Sequence, residues 1–380
     1  METQRDPAAA PAAPPADMPA DVPADPPLRL PVELPADWDG RAGLAQRSLE
    51  FYFGAPGVQL LNNRHPLAPG DNDVFNYWWL AHVIDARVDA YHRTGDEAWL
   101  RRARAVRDNI LLRNNGSPIN DYFDDILWYA LAVLRLSDAA GGDPQLRDEA
   151  IRIWRHVRDH GWNDHEGGGV AWRVQQPYYK NTPANGPFII LSARLFARTK
   201  EPAYLEWARR TMDWLEGHLV RPDGFVEDGV NRLGDHAIDT AWRFTYNQGL
   251  YIGARVELAR VTGEPVHLPR ATRTAHTAIA ELAPDGVFLD EGEGGDEGLF
   301  KGIFYRYATD LAVTTGDAEL SRFLLSCADR LWTDCLRPDS LLAGNDWRRP
   351  PEGPVHFSTQ LSAIMATEAC ALLARTATGR

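Results

Sequence analysis

The sequence predicts an all-α protein whose helices pair into six hairpins and close into an (α/α)6 barrel. Three observations carry that expectation. From about Asp37 onward the chain consists of long amphipathic segments broken by Gly, Pro and Asn, with few alternating β-branched runs of strand length. One phrase recurs: "DAYHRTGDEAWLRRARAV", "RLFARTKEPAYLEWARRTMDWL", "VELARVTGEPVHLPRATRTA" and "DLAVTTGDAELSRFLLSCADRL" each end an apolar helix, turn at a short link containing Thr, and start a more charged helix. An unpaired helix stands at each end, at about 40–53 and 357–376. Two such helices can pair with each other and close a ring, where an open solenoid would leave them apart.

Taken in chain order, residues 1–35 are rich in Pro, Ala and Asp without periodicity and read as a disordered arm, because each proline removes a donor and restricts its neighbour. Residues 36–378 read as one barrel. A fifth copy of the repeat, "VLRLSDAAGGDPQLRDEAIRIWRHV", is degenerate. In each copy the first helix is small, apolar and aromatic, and the second carries Arg and Glu on one face, as an inner and an outer ring require. The inner helices fall near 77–93, 122–138, 184–198, 246–261, 301–315 and 357–376. Such a ring brings the inner-helix N-termini, and the loops before them, to one end of the barrel. Those loops hold the unusual residues: "NDVFNYWW", "NDYFDD", "GGGVAWR", "YYKNTPANGPF", "DTAWRFTYNQG" and "EGLFKGIFYRY". A cleft lined by Trp78, Trp79, Trp172, Tyr246 and amides is implied.

Composition narrows the occupant. A formal charge of -13 without any Lys/Arg run excludes a phosphate-neutralising surface, so nucleic acid is not expected as a partner. A neutral polymer suits this balance. Aromatic residues make up 10% of the chain and cluster beside polar ones, as in a sugar cleft, although aromatics also simply fill large cores. Cys327, Cys335 and Cys370 stand at spacings that match neither a zinc site nor a disulfide framework. The N-terminus has neither a basic n-region nor an unbroken apolar h-region, and no run reads as long enough to span a bilayer. The expectation is a cytoplasmic monomer with no membrane partner and no cofactor.

The stretch "NDYFDDILW" sets Asp124 and Asp125 side by side where an apolar helix begins. Neighbours on a helix lie ~100° apart, so the two cannot share one core contact, yet in a first turn both can lean into one cleft. There the helix dipole stabilises one carboxylate as an anion, while repulsion and aromatic burial raise the proton affinity of the other. That division gives a nucleophile and an acid, and adjacent residues can reach the ~5 Å separation of a retaining glycosidase. The plain alternative is an N-cap, for which Asn120 and Asp121 already suffice.

His156 and His160, one helical turn apart, lack the Glu of an "HExxH" site and read as surface residues; no metal is expected. The run "DEGEGGDEG", residues 290–298, has no Lys-Ser/Thr ending and the wrong charge for a phosphate loop, and reads as a mobile cleft loop. A sugar epimerase or isomerase on the same barrel would need a pair of barrel-lining histidines, and only His82 qualifies. A glycan-binding protein without chemistry would have the cleft but no need of paired carboxylates.

With "YFDDILW", "KNTPANGPFIILSARLF", "FTYNQGLYIGARVEL" and "FKGIFYRYATDLA" in this order, residues 40–376 resemble glycoside hydrolase family 76, the endo-α-1,6-mannanase family. The resemblance implies the (α/α)6 barrel and retaining hydrolysis of α-1,6-mannosidic bonds in mannan or manno-oligosaccharides. It implies Asp124 as nucleophile and Asp125 as acid/base, with Trp78, Trp79, Asn185, Tyr246, Asn247, Gln248 and Lys301 lining the glycan cleft.

Overall fold

The computed structural model describes residues 34–337 and 340–378; the proline-rich arm read from the sequence lies, up to residue 33, outside the described residues. Six hairpins form the body. The inner helices are α2 (Tyr77–Thr94), α4 (Phe123–Ala139), α6 (Thr182–Thr199), α8 (Thr245–Thr262), α10 (Phe300–Thr315) and α12 (Phe357–Thr378). Outside them lie α1 (Trp38–Phe53), α3 (Ala98–Arg113), α5 (Pro144–His156), α7 (Pro202–His218), α9 (His267–Leu282) and α11 (Ala318–Arg330). Each inner helix packs on the next, α12 returns to α2, and α1 pairs with α12, so the terminal helices close the ring as their lack of partners predicted. The protein is an (α/α)6 barrel.

The recurring link has a chemical explanation. Thr94, Thr199, Thr262 and Thr315 each donate their hydroxyl to the carbonyl four residues back, at 2.8–2.9 Å. The first three of these hydroxyls also accept the N–H two residues ahead, at 3.1–3.3 Å, so one side chain serves both strands of the turn. The residue after the Thr is left-handed in every case: Gly95 (φ 69°), Lys200 (φ 61°), Gly263 (φ 69°) and Gly316 (φ 68°). Its N–H closes onto the carbonyl of the preceding turn, which ends the inner helix.

Inner helices approach closely where side chains vanish. A Cβ on Gly249 of α8 would stand 2.7 Å from the Phe304 Cα of α10, a contact no side-chain adjustment relieves. At the C-terminal ends of the inner helices, carboxylates and guanidinium groups alternate around a cavity of about 410 Å³. Arg135 donates to Asp85 (2.7 Å) and Asp89 (2.6 Å), Arg306 to Asp89 (2.7 Å), Arg194 to Glu257 (2.6 Å) and Arg260 to Asp310 (2.9 Å). These pairs tie α2, α4, α6, α8 and α10 into one belt.

The inner helix α12 corrects one expectation. Its segment Phe357–Ala377 is long and apolar enough to cross a bilayer, but 89% of its 18-residue apolar stretch is buried within the barrel. Its hydropathy is that of a core helix sheathed by α1, α2 and α10.

Among the described residues five short strands sit at the other end, in the loops that precede the inner helices: β1 (Arg64–His65), β2 (Ala171–Arg173), β3 (Gln176–Asn181), β4 (Gly229–Val230) and β5 (Val355–His356). β1 pairs antiparallel with β5, and β3 lies between β2 and β4.

Lys200 occupies the left-handed position that glycine holds in three other links, at a steric cost of about 1 kcal/mol. Lys200→Gly is therefore expected to raise the unfolding free energy by about that amount and Gly263→Ala to lower it similarly, as measured by the urea midpoint. An unchanged midpoint for Lys200→Gly would mean that the ammonium, 5.6 Å over the Phe196 ring, already offsets the strain.

Candidate active site

The polar motifs assigned to the cleft lie in a first turn of an inner helix or in the loop before it, whereas His156 ends the outer helix α5 and His160 lies in the turn that follows it. Asp124 and Asp125 open α4. Asp124 is partly buried, and its Oδ2 accepts the Trp172 indole N–H at 3.1 Å. Asp125 is 3% exposed and accepts from the Asn120 amide at 3.3 Å. Trp172 reaches Asp124 because β2 is fastened to the loop before α4. Tyr122 bridges Arg173, and the Val174 N–H donates to the Asp121 carbonyl at 2.9 Å. Arg173 lies 4.8 Å over the Trp172 ring and 5.7 Å over Tyr122, completing the wall beside the pair.

Three inner helices carry an amide side chain at their fourth position that clamps a preceding loop by its backbone. Asn185 of α6 accepts the Val170 N–H (2.8 Å) and donates to the Val170 carbonyl (2.9 Å) and the Asn181 carbonyl (2.8 Å). Gln248 of α8 accepts the Val226 N–H (2.9 Å) and donates to the Val226 carbonyl (2.7 Å). Gln360 of α12 accepts the Ala343 N–H (2.9 Å) and donates to the Leu341 carbonyl (3.0 Å). Each amide imitates a neighbouring strand, satisfying donor and acceptor together.

Asn185 and Gln248, expected to line the glycan cleft, turn their polar atoms to the backbone in this geometry. Both are fully buried and their polar atoms are committed to backbone, so they hold the loops that form the cleft. Lys301, equally buried, is paired with Glu291 at 3.3 Å and stands behind the wall as well. Trp78 and Trp79, 5% and 3% exposed, both donate their indole N–H to Asp296 Oδ1, at 2.9 and 2.8 Å. Their rings pack on Trp128 and His82, and on His356 and Phe357. They are wall residues with covered faces. His82 is buried between Trp78 and Trp128, and burial lowers its pKa to about 3, so the imidazole is neutral.

The acidic run 290–298, expected to be a mobile cleft loop, is anchored at several points. Glu291 accepts from the Thr245 N–H (2.5 Å) and hydroxyl (2.9 Å), Ser358 donates to the Gly295 carbonyl (2.5 Å), and Asp296 holds the two tryptophans. Burial raises the Glu291 pKa, against the opposing pull of Lys301 and the Thr245 donors.

Sequence reasoning missed Asp228. It is 1% exposed and accepts the Tyr246 hydroxyl (2.9 Å) and the Asn247 amide (3.0 Å) on Oδ1, and the Tyr179 hydroxyl (2.9 Å) on Oδ2. Tyr246 and Asn247, expected at the cleft, thus spend these donors on Asp228. Burial raises the Asp228 pKa, while the three donors lower it. Lys180, also missed, donates to Asn163 Oδ1 and the Gly169 carbonyl, both at 2.7 Å, and burial lowers its pKa to about 7. Lys180 stands inside the "YYKN" motif, which could have flagged it, whereas Asp228 lies outside every motif singled out in the sequence.

A family model described as glycosyl hydrolase family 76 matches residues 39–378. The Lin0763 protein of Listeria innocua is 48% identical, with a TM-score of 0.87 over 89% of this chain and 98% of that one. The α-1,6-mannanase GH76A of Salegentibacter sp. HEL1_6 is 36% identical, with a TM-score of 0.82 over 89% of this chain and 100% of that one. Its structure is that of an inactive variant, with two consecutive aspartates replaced by asparagine, in complex with α-1,6-mannotriose. Mannan endo-1,6-alpha-mannosidase DCW1 of Saccharomyces cerevisiae is 26% identical over 254 residues, 62% of this chain and 52% of that one.

Asn185→Ala and Gln248→Ala each strand a buried N–H and C=O pair, so each is expected to lower the unfolding free energy by about 1–3 kcal/mol in urea titration. Unchanged stability in either variant would release that amide from its backbone role and return it to ligand contact.

Proposed function

The chain belongs to glycosyl hydrolase family 76, and we propose that it hydrolyses α-1,6-mannosidic bonds in mannan or manno-oligosaccharides with retention of configuration. The observation that carries the reading is the pair of consecutive carboxylates in the first turn of α4, at the end of the barrel where all six inner helices begin. Membership makes the chain a glycoside hydrolase; the substrate and the roles of Asp124 and Asp125 are the proposal. Support comes from the Salegentibacter mannanase, inactive with its own consecutive aspartates replaced and found with α-1,6-mannotriose.

In this mechanism Asp124 attacks the anomeric carbon. The Trp172 N–H on its Oδ2 stabilises negative charge and fixes the carboxylate's orientation, as a nucleophile requires. Asp125, held out of bulk water and touched by Asn120, gives its proton to the glycosidic oxygen as the bond breaks. A covalent mannosyl ester on Asp124 results. Asp125, now ionised, takes a proton from water, which displaces Asp124 from the anomeric carbon and releases the α-anomer. Adjacent residues leave too little room for the water of an inverting reaction. The neutral polymer is recognised without a charged partner, consistent with a chain of net charge -13.

Asp125→Asn is expected to lower kcat on α-1,6-mannotriose by about 10²–10⁴-fold. An aryl mannoside should recover its first step in that variant, because its leaving group needs no proton, and azide should rescue the second. Asp124→Asn should respond to neither. Product from the unaltered enzyme, followed by NMR, should appear first as the α-anomer; an initial β-anomer would exclude retention.

A further inference from the structure

We propose that Asp228 is a positioning residue for the reaction at Asp124, fixing the surroundings of the nucleophile through Tyr179, Trp172 and Tyr246. The proposal rests on the assignment of Asp124 as nucleophile. The chain of contacts is continuous. Asp228 Oδ2 accepts the Tyr179 hydroxyl at 2.9 Å, the Tyr179 ring meets the Trp172 ring edge-on at 5.9 Å, and the Trp172 N–H reaches Asp124 at 3.1 Å. On its other oxygen Asp228 holds the hydroxyl of Tyr246, whose ring is stacked on Phe300 at 3.8 Å and whose phenol feels the fields of both Asp228 and Asp124.

Asp228 itself cannot swing. The Thr182 N–H at the start of α6 donates to its carbonyl at 2.7 Å, and the next residue, Gly229, is so close to Tyr179 that a Cβ there would stand 2.6 Å from the ring. Tyr179 is thereby pinned between Gly229 and Trp172.

Charge gives the second half of the argument. The groups facing Asp228 are Tyr179 from β3, Tyr246 and Asn247 from α8, the neighbouring buried carboxylate Glu227, and Asp239, which is paired with Arg232, from the loop after β4. Among the described residues Asp228 makes no ion pair. Burying a carboxylate without a cation is costly, yet its two oxygens accept three donors, where an asparagine would offer one acceptor oxygen and turn an N–H toward the other side. What the carboxylate adds is negative potential beside the site. An oxocarbenium-like transition state carries positive charge that the neutral sugar lacks, so that potential acts on kcat and leaves binding nearly untouched. The same potential opposes ionisation of Asp124; removing it lets Asp124 ionise at lower pH.

The test is Asp228→Asn, with α-1,6-mannotriose as substrate and the unaltered enzyme measured first. The expected result is a kcat lowered about 10²-fold with KM within about twofold. The acid limb of kcat/KM should move down by about 0.5–1 pH unit. In protein labelled with [15N]tryptophan, the Trp172 indole resonance, identified by its loss in Trp172→Phe, should shift. Tyr179→Phe, which keeps the ring and the charge, should shift the indole resonance and leave the acid limb in place, and it serves if Asp228→Asn does not fold. A raised KM at unchanged kcat would make Asp228 a sugar ligand and overturn the proposal. An unmoved acid limb and indole resonance would overturn it also. Absence of hydrolysis by the unaltered enzyme would instead remove the assignment of Asp124, leaving the indole resonance to decide whether Asp228 governs the wall.

Discussion

One constraint organises the molecule: all six inner helices start at the same end of the ring. Each contributes roughly half a positive charge at its N-terminus and half a negative charge at its C-terminus. The sequence answers both ends. Asp124, Asp125, Asp228, Glu291 and Asp296 gather where helices begin, in first turns or the loops beside them, while Arg135, Arg194, Arg260 and Arg306 point into the opposite end. The basal guanidinium groups face their carboxylates in a belt around a cavity, so the ring is tied there by ion pairs and at the other end by amides. Ring closure thus sorts charge along the barrel axis, and that sorting makes the N-terminal end able to hold several carboxylates together.

The amide clamps explain how loops can form a fixed wall. Asn185, Gln248 and Gln360 occupy the same position in the inner helices α6, α8 and α12, and each ties down the loop arriving from the preceding outer helix. The acidic loop before α10 is held differently, by its own carboxylates on Thr245, Lys301, Trp78 and Trp79. Substrate can therefore meet a surface whose rearrangement was completed on folding, which is the condition for electrostatic stabilisation of a transition state.

Within that wall the residues fall into two depths. Trp172, Tyr122 and Arg173 form the layer beside the pair, and Tyr179, Tyr246, Asp228 and Asn247 form the layer that holds it. The buried layer is polar, hydrogen-bonded and expensive, which is the signature of groups retained for geometry rather than for stability.

The sequence by itself determined the fold. The 3.6-residue apolar pattern, the Thr-Gly links and the two unpaired terminal helices are local signals. They place each inner helix within about two residues of its position, because a capping hydroxyl or a left-handed glycine acts on neighbours a turn away. Asp124 and Asp125 were legible for the same reason, since a helix start is a local event. The tertiary structure alone decided which polar residues face the cleft and which stand behind it. The family resemblance implied that Asn185 and Gln248 line the cleft, but their partners, Val170 and Val226, arrive from loops that only ring closure brings near. Asp228 gave no signal at all: its three donors come from β3 and α8, and no spacing along the chain records a meeting that packing in three dimensions creates.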